Sequence, residues 1–309
     1  ALFALVAAFA IGIGVSFGRD ARAREQALAS QARMSPTRSG ALQYALAGQG
    51  DPVLVIHGAG GGFDQGLLIA DAFVGAGHRI IAPSRFGYLG SALPPDPSTS
   101  AQADAFADLL DALALERVSV VGFSGGAPPA LQFSLRYPER TRCLALLSPA
   151  PFTPYRPPPS SRPIPAWLYQ SLFGSDLLYW ALAKANPGLL LQAFDARTDL
   201  RGNLVDDENL MLEALLEGFL PASARVDGVL NEAAAIDPDA SYGLETISAP
   251  VLVIHARDDR INSFAVAEAI ADRTHNARLL ALERGGHLLL GAHADVRLRM
   301  REFLNACPM

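Results

Sequence analysis

The sequence lacks a basic surplus. Its 25 Lys and Arg are outnumbered by 31 Asp and Glu, for a net charge of −6, and the cations are scattered along the chain. That excludes nucleic acid as a partner, because phosphates call for a concentrated basic face. Cysteine is also scarce. Cys143 and Cys307 lie far apart in sequence, and Cys143 falls in a hydrophobic, strand-like run. The pair therefore reads as buried free thiols rather than a disulfide, and leaves the compartment open. No zinc-ligand spacing is visible, so no metal is expected. The glycine loop His57-Gly58-Ala59-Gly60-Gly61-Gly62 lacks the Lys-Ser/Thr of a phosphate loop, and Phe63 stands where a dinucleotide fingerprint needs its third glycine. No organic cofactor is expected either.

What is present is apolar bulk. Half of the 309 residues are hydrophobic, ample for one core carrying an inserted subdomain. Ala1 to Phe17 is almost wholly apolar and is followed by Arg19, Arg22 and Arg24. Seventeen helical residues span roughly 25 Å, just short of a hydrocarbon core of about 30 Å. The segment is expected to be a membrane anchor. A secretory signal cut near Ala21 to Ala23 or Ala27 to Ala29, which would leave a secreted or periplasmic protein, and an apolar helix packed on the domain are the alternatives. Residues 19 to 38 read as a linker or exposed helix.

Beyond residue 39 the chain alternates strands and helices. Strands are predicted at Ala41–Ala47, Pro52–Ile56, Arg79–Ala82, Val118–Val121, Cys143–Leu147, Val251–Ile254 and Arg278–Leu282. Helices are predicted at Ser98–Leu115, Ala130–Tyr137, Ala265–Arg273 and Asp295–Asn305. Continuous apolar strands in this rhythm imply an α/β fold, a mostly parallel sheet covered by helices on both faces. The rhythm breaks between Ser148 and Val251 with a Pro-rich passage and helical patterns at 166–173, 176–185, 206–220 and 222–235. This stretch reads as an inserted helical cap, its Trp167, Tyr169, Phe173, Tyr179, Trp180, Met211 and Phe219 forming mainly cap core. The expected organisation is an N-terminal helix and linker (1–38), a core (39–151 and 249–309) and the cap (152–248).

The chemistry centres on Gly122-Phe123-Ser124-Gly125-Gly126, directly after the strand Val118–Val121. A serine at such a junction occupies a tight turn, with small neighbours relieving the crowding and its hydroxyl held over the strand ends. Serine needs a base, and the base needs a carboxylate to orient it. Asp258 and Asp259 follow the strand Val251–Ile254, and His287 follows Arg278–Leu282 in a glycine-flanked loop. All carboxyl ends of a parallel sheet share one edge, so these residues meet there despite their separation. Periodicity does not separate Asp258 from Asp259. No acid follows Cys143–Leu147. Of the other histidines, His57 reads as a satisfied loop residue, His255 as a strand residue, His78 and His275 as surface, and His293 as an exposed helix start. Pro128 and Pro129 fit a first helical turn but restrict Ala127.

With its order Ser, Asp, His, the chain from about Gly40 onward resembles the α/β-hydrolase fold family, particularly its cap-bearing esterase and lipase-like members. The resemblance rests on His57-Gly58, Gly122 to Gly126, Asp258-Asp259 and Gly286-His287. It implies Ser124 as nucleophile, His287 as base and then acid, and Asp259 as the acid, from Ala256-Arg257-Asp258-Asp259 matched to Gly-Arg-x-Asp. It further implies oxyanion donors at Gly125 and Ala59, with Gly60 in reserve. Serine in place of aspartate speaks against dehalogenase and epoxide hydrolase chemistry. The expected activity is hydrolysis of small-molecule carboxylic esters with hydrophobic acyl groups. Carbon–carbon bond hydrolases and cofactor-free haloperoxidases share these motifs, and a non-catalytic binding protein is a further alternative. The sequence leaves the oligomeric state open.

Overall fold

A computed structural model describes residues 2–152, 171, 173–234 and 242–308. Among these, eight strands form one sheet: β1 (Arg33–Thr37), β2 (Gly40–Ala47), β3 (Asp51–Ile56), β4 (His78–Pro83), β5 (Val118–Phe123), β6 (Thr141–Leu147), β7 (Val251–Ala256) and β8 (Ala277–Leu282), in the order β1-β2-β4-β3-β5-β6-β7-β8. β1 and β2, and β2 and β4, pair antiparallel; every pair from β4 through β3 to β8 is parallel. All residues of β5, β6 and β7 are buried, as their mainly apolar sequences lead one to expect of strands covered on both faces.

Alternate residues along these strands feed two cores. Val53, Val55, Val121, Ala145 and Ile254 face α2 (Phe63–Ile69), the π-helical turn Ala70–Val74 and α10 (His293–Asn305). Leu54, Ile56, Val120, Leu144 and Val253 face α3 (Thr99–Ala112), α4 (Ala127–Arg136) and α9 (Phe264–Arg273). Between β6 and β7 the chain runs through α5 (Asp176–Ala185), α6 (Pro187–Ala193), α7 (Asp206–Gly218) and α8 (Val226–Ala234). Phe173, Tyr179 and Phe194 pack their rings around Phe219 at centroid distances of 4.6, 5.4 and 5.1 Å, so these aromatics pack on one another within the segment between β6 and β7. The expected helix at 166–173, with Trp167 and Tyr169, lies outside the described residues apart from Ser171 and Phe173.

Two expectations are corrected, and one open alternative is decided. Of the two readings of residues 19–38, the helix holds as far as Gln31, where α1 ends its unbroken run from Leu2, and the sheet begins at Arg33. The second half of α1 is docked. The Phe17 ring lies edge-on to Trp180 at 5.7 Å, Trp180 Nε1 donates to Asp20 at 3.1 Å, and Arg24 pairs with Asp64 and donates to the carbonyls of Gly218 and Leu220. The first half, by contrast, holds Phe3, Leu5, Ile11 and Val15 in the open at 65% exposure or more. The cysteines are paired: Cys143 and Cys307 form a disulfide with Cα atoms 5.8 Å apart, because the end of α10 returns to the start of β6. Finally, His78 and His293 are buried, not surface, at 8% and 2% exposure. His293 Nε2 donates to the Leu288 carbonyl at 2.9 Å, and its ring packs on Phe73.

Candidate active site

β5 ends at Phe123 and the chain enters a single 3-10 turn, Ser124 to Gly126, before α4. Ser124 has φ +50°, a left-handed conformation that a non-glycine residue adopts only where its surroundings hold it there. Gly122 makes this possible. A Cβ there would sit 2.8 Å from Ala130 Cβ and 2.9 Å from the Gly126 carbonyl, so any side chain would force α4 off the strand. Ala127 stays right-handed helical (φ −66°, ψ −46°) despite the proline after it, so the proline pair leaves the elbow intact.

Ser124, His287 and Asp259 meet at the carboxyl edge of the sheet. His287 Nε2 lies 2.9 Å from Ser124 Oγ, and His287 Nδ1 lies 2.9 Å from Asp259 Oδ2. The Asp259 carboxylate is fully buried and its other oxygen accepts the backbone amides of Ile261 (2.7 Å) and Asn262 (2.9 Å). Burial pushes this carboxyl up, but the His287 ring and the hydrogen bonds from His255 and His287 outweigh it and hold it well below the ordinary carboxylate range. Asp258 points elsewhere. It accepts the Gly286 amide at 2.9 Å and pairs with Arg197, so of the two adjacent acids only Asp259 touches the imidazole.

The loop after β3 passes directly over the serine: a Cβ on Gly58 would lie 3.0 Å from the Phe123 ring and 3.1 Å from Ser124 Cβ. Both ends of the Gly58 residue are fixed. Its amide donates to Gln65 Oε1 at 2.8 Å, and its carbonyl accepts His57 Nδ1–H at 2.7 Å. His57 Nε2 accepts the Arg85 amide at 2.9 Å, which assigns the ring proton to Nδ1. The Gly60 amide is taken up by the Tyr88 hydroxyl at 3.3 Å. Arg85, buried beneath the elbow, donates to the Gly125 carbonyl at 3.0 Å and pairs with Glu232 of α8. Among the described residues, no group of three or more His, Cys, Asp or Glu side chains is disposed to hold a metal ion.

Three contacts were not anticipated from sequence. Asn262 Nδ2 lies 3.4 Å from Ser124 Oγ and donates to the Ser148 carbonyl at 2.9 Å. Asp195, from the segment between β6 and β7, accepts the amides of His287 (3.0 Å) and Arg260 (3.1 Å) while Arg197 bridges it to Asp258, so that segment clamps the loops carrying His287 and Asp259. His255, on β7, places Nε2 3.0 Å from the same Asp259 oxygen that His287 holds. For His255 a signal existed: a polar residue inside a fully buried strand must find a partner.

Burial lowers His57 and His293 below the ordinary imidazole value. A lowered folded-state value means the unfolded chain takes up protons first, so their contribution is complete above about pH 7 and declines as pH falls below about 6.5. Asp259 adds a second decline below about pH 4 by the same sign. Guanidinium unfolding between neutral and acid pH is expected to lose about 1.4 kcal/mol per pH unit per buried histidine below 6.5. A stability flat to pH 5 would show that neither ring is held neutral.

Comparisons with known proteins agree with this architecture. Residues 51–294 match the family model for the alpha/beta hydrolase fold. The chain is 30% identical over 276 residues, 84% of its length and 88% of the relative's, to the 2-hydroxy-6-oxononadienedioate/2-hydroxy-6-oxononatrienedioate hydrolase of Paraburkholderia xenovorans (strain LB400). It is 29% identical over 268 residues, 82% of its length and 87% of the relative's, to the 2-hydroxy-6-oxo-6-phenylhexa-2,4-dienoate hydrolase of Burkholderia cepacia. An alpha/beta hydrolase fold protein from Nakamurella multipartita superposes with a TM-score of 0.72 at 26% identity, covering 89% of this chain and 99% of its own. With the serine elbow, the imidazole and the buried carboxylate on one sheet edge and the family model spanning most of the chain, this protein belongs to the alpha/beta hydrolase fold family.

Proposed function

We propose that the protein is a serine hydrolase of carboxylic esters with hydrophobic acyl groups. The observation that carries this reading is the unbroken line from Ser124 Oγ through His287 to Asp259, at 2.9 and 2.9 Å. Ser124 Oγ attacks the ester carbonyl as its proton passes to His287 Nε2. The amides of Gly125 and Ala59 hold the oxyanion, each contributing about 3 kcal/mol. The intermediate collapses, the alcohol leaves with the proton from His287, and water, deprotonated by the same ring, releases the acid and restores Ser124. Asp259 orients the imidazole and stays ionised throughout. A fluorophosphonate should label the protein at Ser124 and fail to label Ser124→Ala; an unlabelled, folded protein would leave only a binding role.

Two features support an apolar, uncharged acyl group. The guanidinium beside the elbow, Arg85, is already paired with Glu232 and the Gly125 carbonyl. A cavity of about 290 Å³ bordered by Gly60 and Phe219 is walled by Leu67, Leu68 and Leu215, and its charged lining, Arg24, Asp64 and Arg225, is mutually paired. In a p-nitrophenyl ester series, kcat/KM is expected to rise from acetate to medium chains, by roughly threefold per added methylene at first. Leu215→Trp should blunt that rise without changing acetate turnover. Activity confined to acetate would remove the preference.

The relatives named as hydrolases of oxodienoates favour a second reading, cleavage of a carbon–carbon bond in a dienoate by the same three side chains. Parallel assay of an ester panel and a 2-hydroxy-6-oxodienoate separates the two.

The outer half of α1 is proposed as a membrane anchor, supported by four large apolar side chains left in the open. Liposome flotation is expected to carry the full chain, and Ile11→Arg with Val15→Arg to release it, since each charge at mid-membrane costs about 3 kcal/mol. Flotation unchanged by both substitutions would refute the anchor.

A further inference from the structure

We propose that His255 is a positioning residue for the triad: its Nε2–H holds the same Asp259 oxygen that His287 Nδ1 holds, so one carboxylate is shared between two imidazoles. The geometry assigns the proton. His255 Nε2 faces only acceptors, Asp259 Oδ2 at 3.0 Å and the Asn262 carbonyl at 3.2 Å, whereas its Nδ1 is buried without a hydrogen-bond partner among the described residues. A ring that donates from Nε2 serves the acceptors that face it and leaves only the Nδ1 lone pair unpaired, whereas the other tautomer would set a bare Nε2 against two acceptors. The ring is fixed in place, being wholly buried on β7 and packed edge-on against Phe264 at 5.7 Å.

Asp259 thus receives four donors, two on each oxygen: the amides of Ile261 and Asn262 on Oδ1, and the two imidazoles on Oδ2. An ordinary triad acid leaves its charge to a single histidine. Here the second N–H draws off part of that charge, which does two things. It pins the carboxylate rotamer at the oxygen that His287 also holds, and it weakens the pull of Asp259 on the His287 proton. His255 has no hydrogen bond to Ser124 itself, so its influence passes through Asp259 and, more weakly, through Asn262, whose carbonyl it also faces.

The other charged or titratable groups around the pair come from every neighbouring element. Asp195 and Arg197 reach in from the inserted segment, Asp258 and Arg260 belong to the acid loop, and Arg257 lies over the Phe264 ring at 4.4 Å. Replacing His255 leaves all of them in place.

The test uses the full chain and two substitutions of similar size. His255→Phe removes the donor and keeps a ring in the core. His255→Gln returns an amide N–H near the Nε2 position. In His255→Phe the acidic limb of the kcat/KM profile is expected to move up by about half to one pH unit, as the undivided carboxylate strengthens its hold on the His287 proton. The kcat is expected to fall by about tenfold as the carboxylate loses its fixed rotamer. His255→Gln should restore both toward the unmodified protein. Rates are referred to fluorophosphonate-titrated sites, so loss of folded protein does not count as loss of turnover. A His255→Phe protein with the original limb and kcat overturns the proposal, and so does a Gln variant as impaired as Phe.

The kinetic readout rests on the serine hydrolase reading, but a second measurement does not. Nitrogen-15 histidine NMR of the unmodified protein should find the neutral His255 ring in the tautomer protonated at Nε2 and bare at Nδ1. A bare Nε2 overturns the proposal even if esters are hydrolysed. A protonated Nε2 in a protein that fluorophosphonate does not label sustains the shared carboxylate while removing the hydrolase reading.

Discussion

Asp259→Asn is expected to lower kcat on a p-nitrophenyl ester by about four decades, while Asp258→Asn lowers it by about tenfold or less. The two residues are neighbours and carry the same group, so the contrast isolates geometry. Asp259 Oδ2 accepts His287 Nδ1 at 2.9 Å, which leaves Nε2 bare to take the serine proton. An amide in its place turns an N–H toward the ring, favouring the tautomer that protonates Nε2 and blocks proton abstraction. Asp258 instead holds the Gly286 amide at 2.9 Å and meets Arg197, a contact one residue from the imidazole and partly solvated. Losing it loosens the histidine loop, but Asp195 still grips the His287 amide at 3.0 Å. Steady-state kinetics of both variants, scaled to titratable Ser124, decides the matter. Equal losses, or the larger loss at Asp258, would show that the acid was assigned to the wrong side chain.

The contrast also shows which parts of the molecule were legible in its sequence. β5, β6 and β7 announce themselves because strands covered on both faces carry continuous apolar runs, with polar side chains here only at Ser119, at Thr141 and Arg142 where β6 begins, and at His255. The elbow was legible for a related reason, since Gly122 and Gly126 stand where a Cβ has no room. β1 was not. It is an edge strand of Arg33, Met34, Ser35, Pro36 and Thr37 in which only Ser35 is buried, so neither hydrophobicity nor alternation marks it. The docking of α1 was hidden because its anchoring contacts, Arg24 to Asp64 and Asp20 to Trp180, are polar and reach across the whole chain. His293 looked exposed for want of a carbonyl partner that only the turn before α10 supplies. At the site, Ser124, Asp259 and His287, the three residues proposed to do the chemistry, lay in recognisable local patterns. Their neighbours Asn262 and Asp195 are defined by where they point, which no local pattern encodes, and for His255 a polar residue in a buried strand signals a partner without naming it.

The pairing of Cys143 with Cys307 leads to the largest expected change in stability. The bond closes a span of 164 residues, for which loop-closure entropy gives about 5 kcal/mol, an upper figure if the reduced unfolded chain keeps residual structure. The double variant Cys143→Ala/Cys307→Ala should therefore unfold at markedly lower guanidinium than the oxidised protein. It should match dithiothreitol-reduced protein within about 1 kcal/mol, the two small apolar side chains packing alike at both sites. Turnover at low temperature should survive, for a topological reason. Cys143 is in register with Ser119, near the start of β5, and Ser124 lies five residues further on, roughly 17 Å away along the strand. The bond thus anchors α10 to the amino edge of the sheet while the chemistry sits on the carboxyl edge. A variant that keeps its full stability would mean that α10 is held by its other contacts, among them His293 on Phe73 and the hydrogen bond from Arg297 to the Ala72 carbonyl. A variant that loses turnover at temperatures where it is still folded would mean that the two edges communicate. Because such a bond persists where the surroundings are oxidising, thiol titration of the protein from its native compartment should find no free cysteine. With α1 proposed as the anchor, that result would place the sheet and its serine on the oxidising side of the membrane.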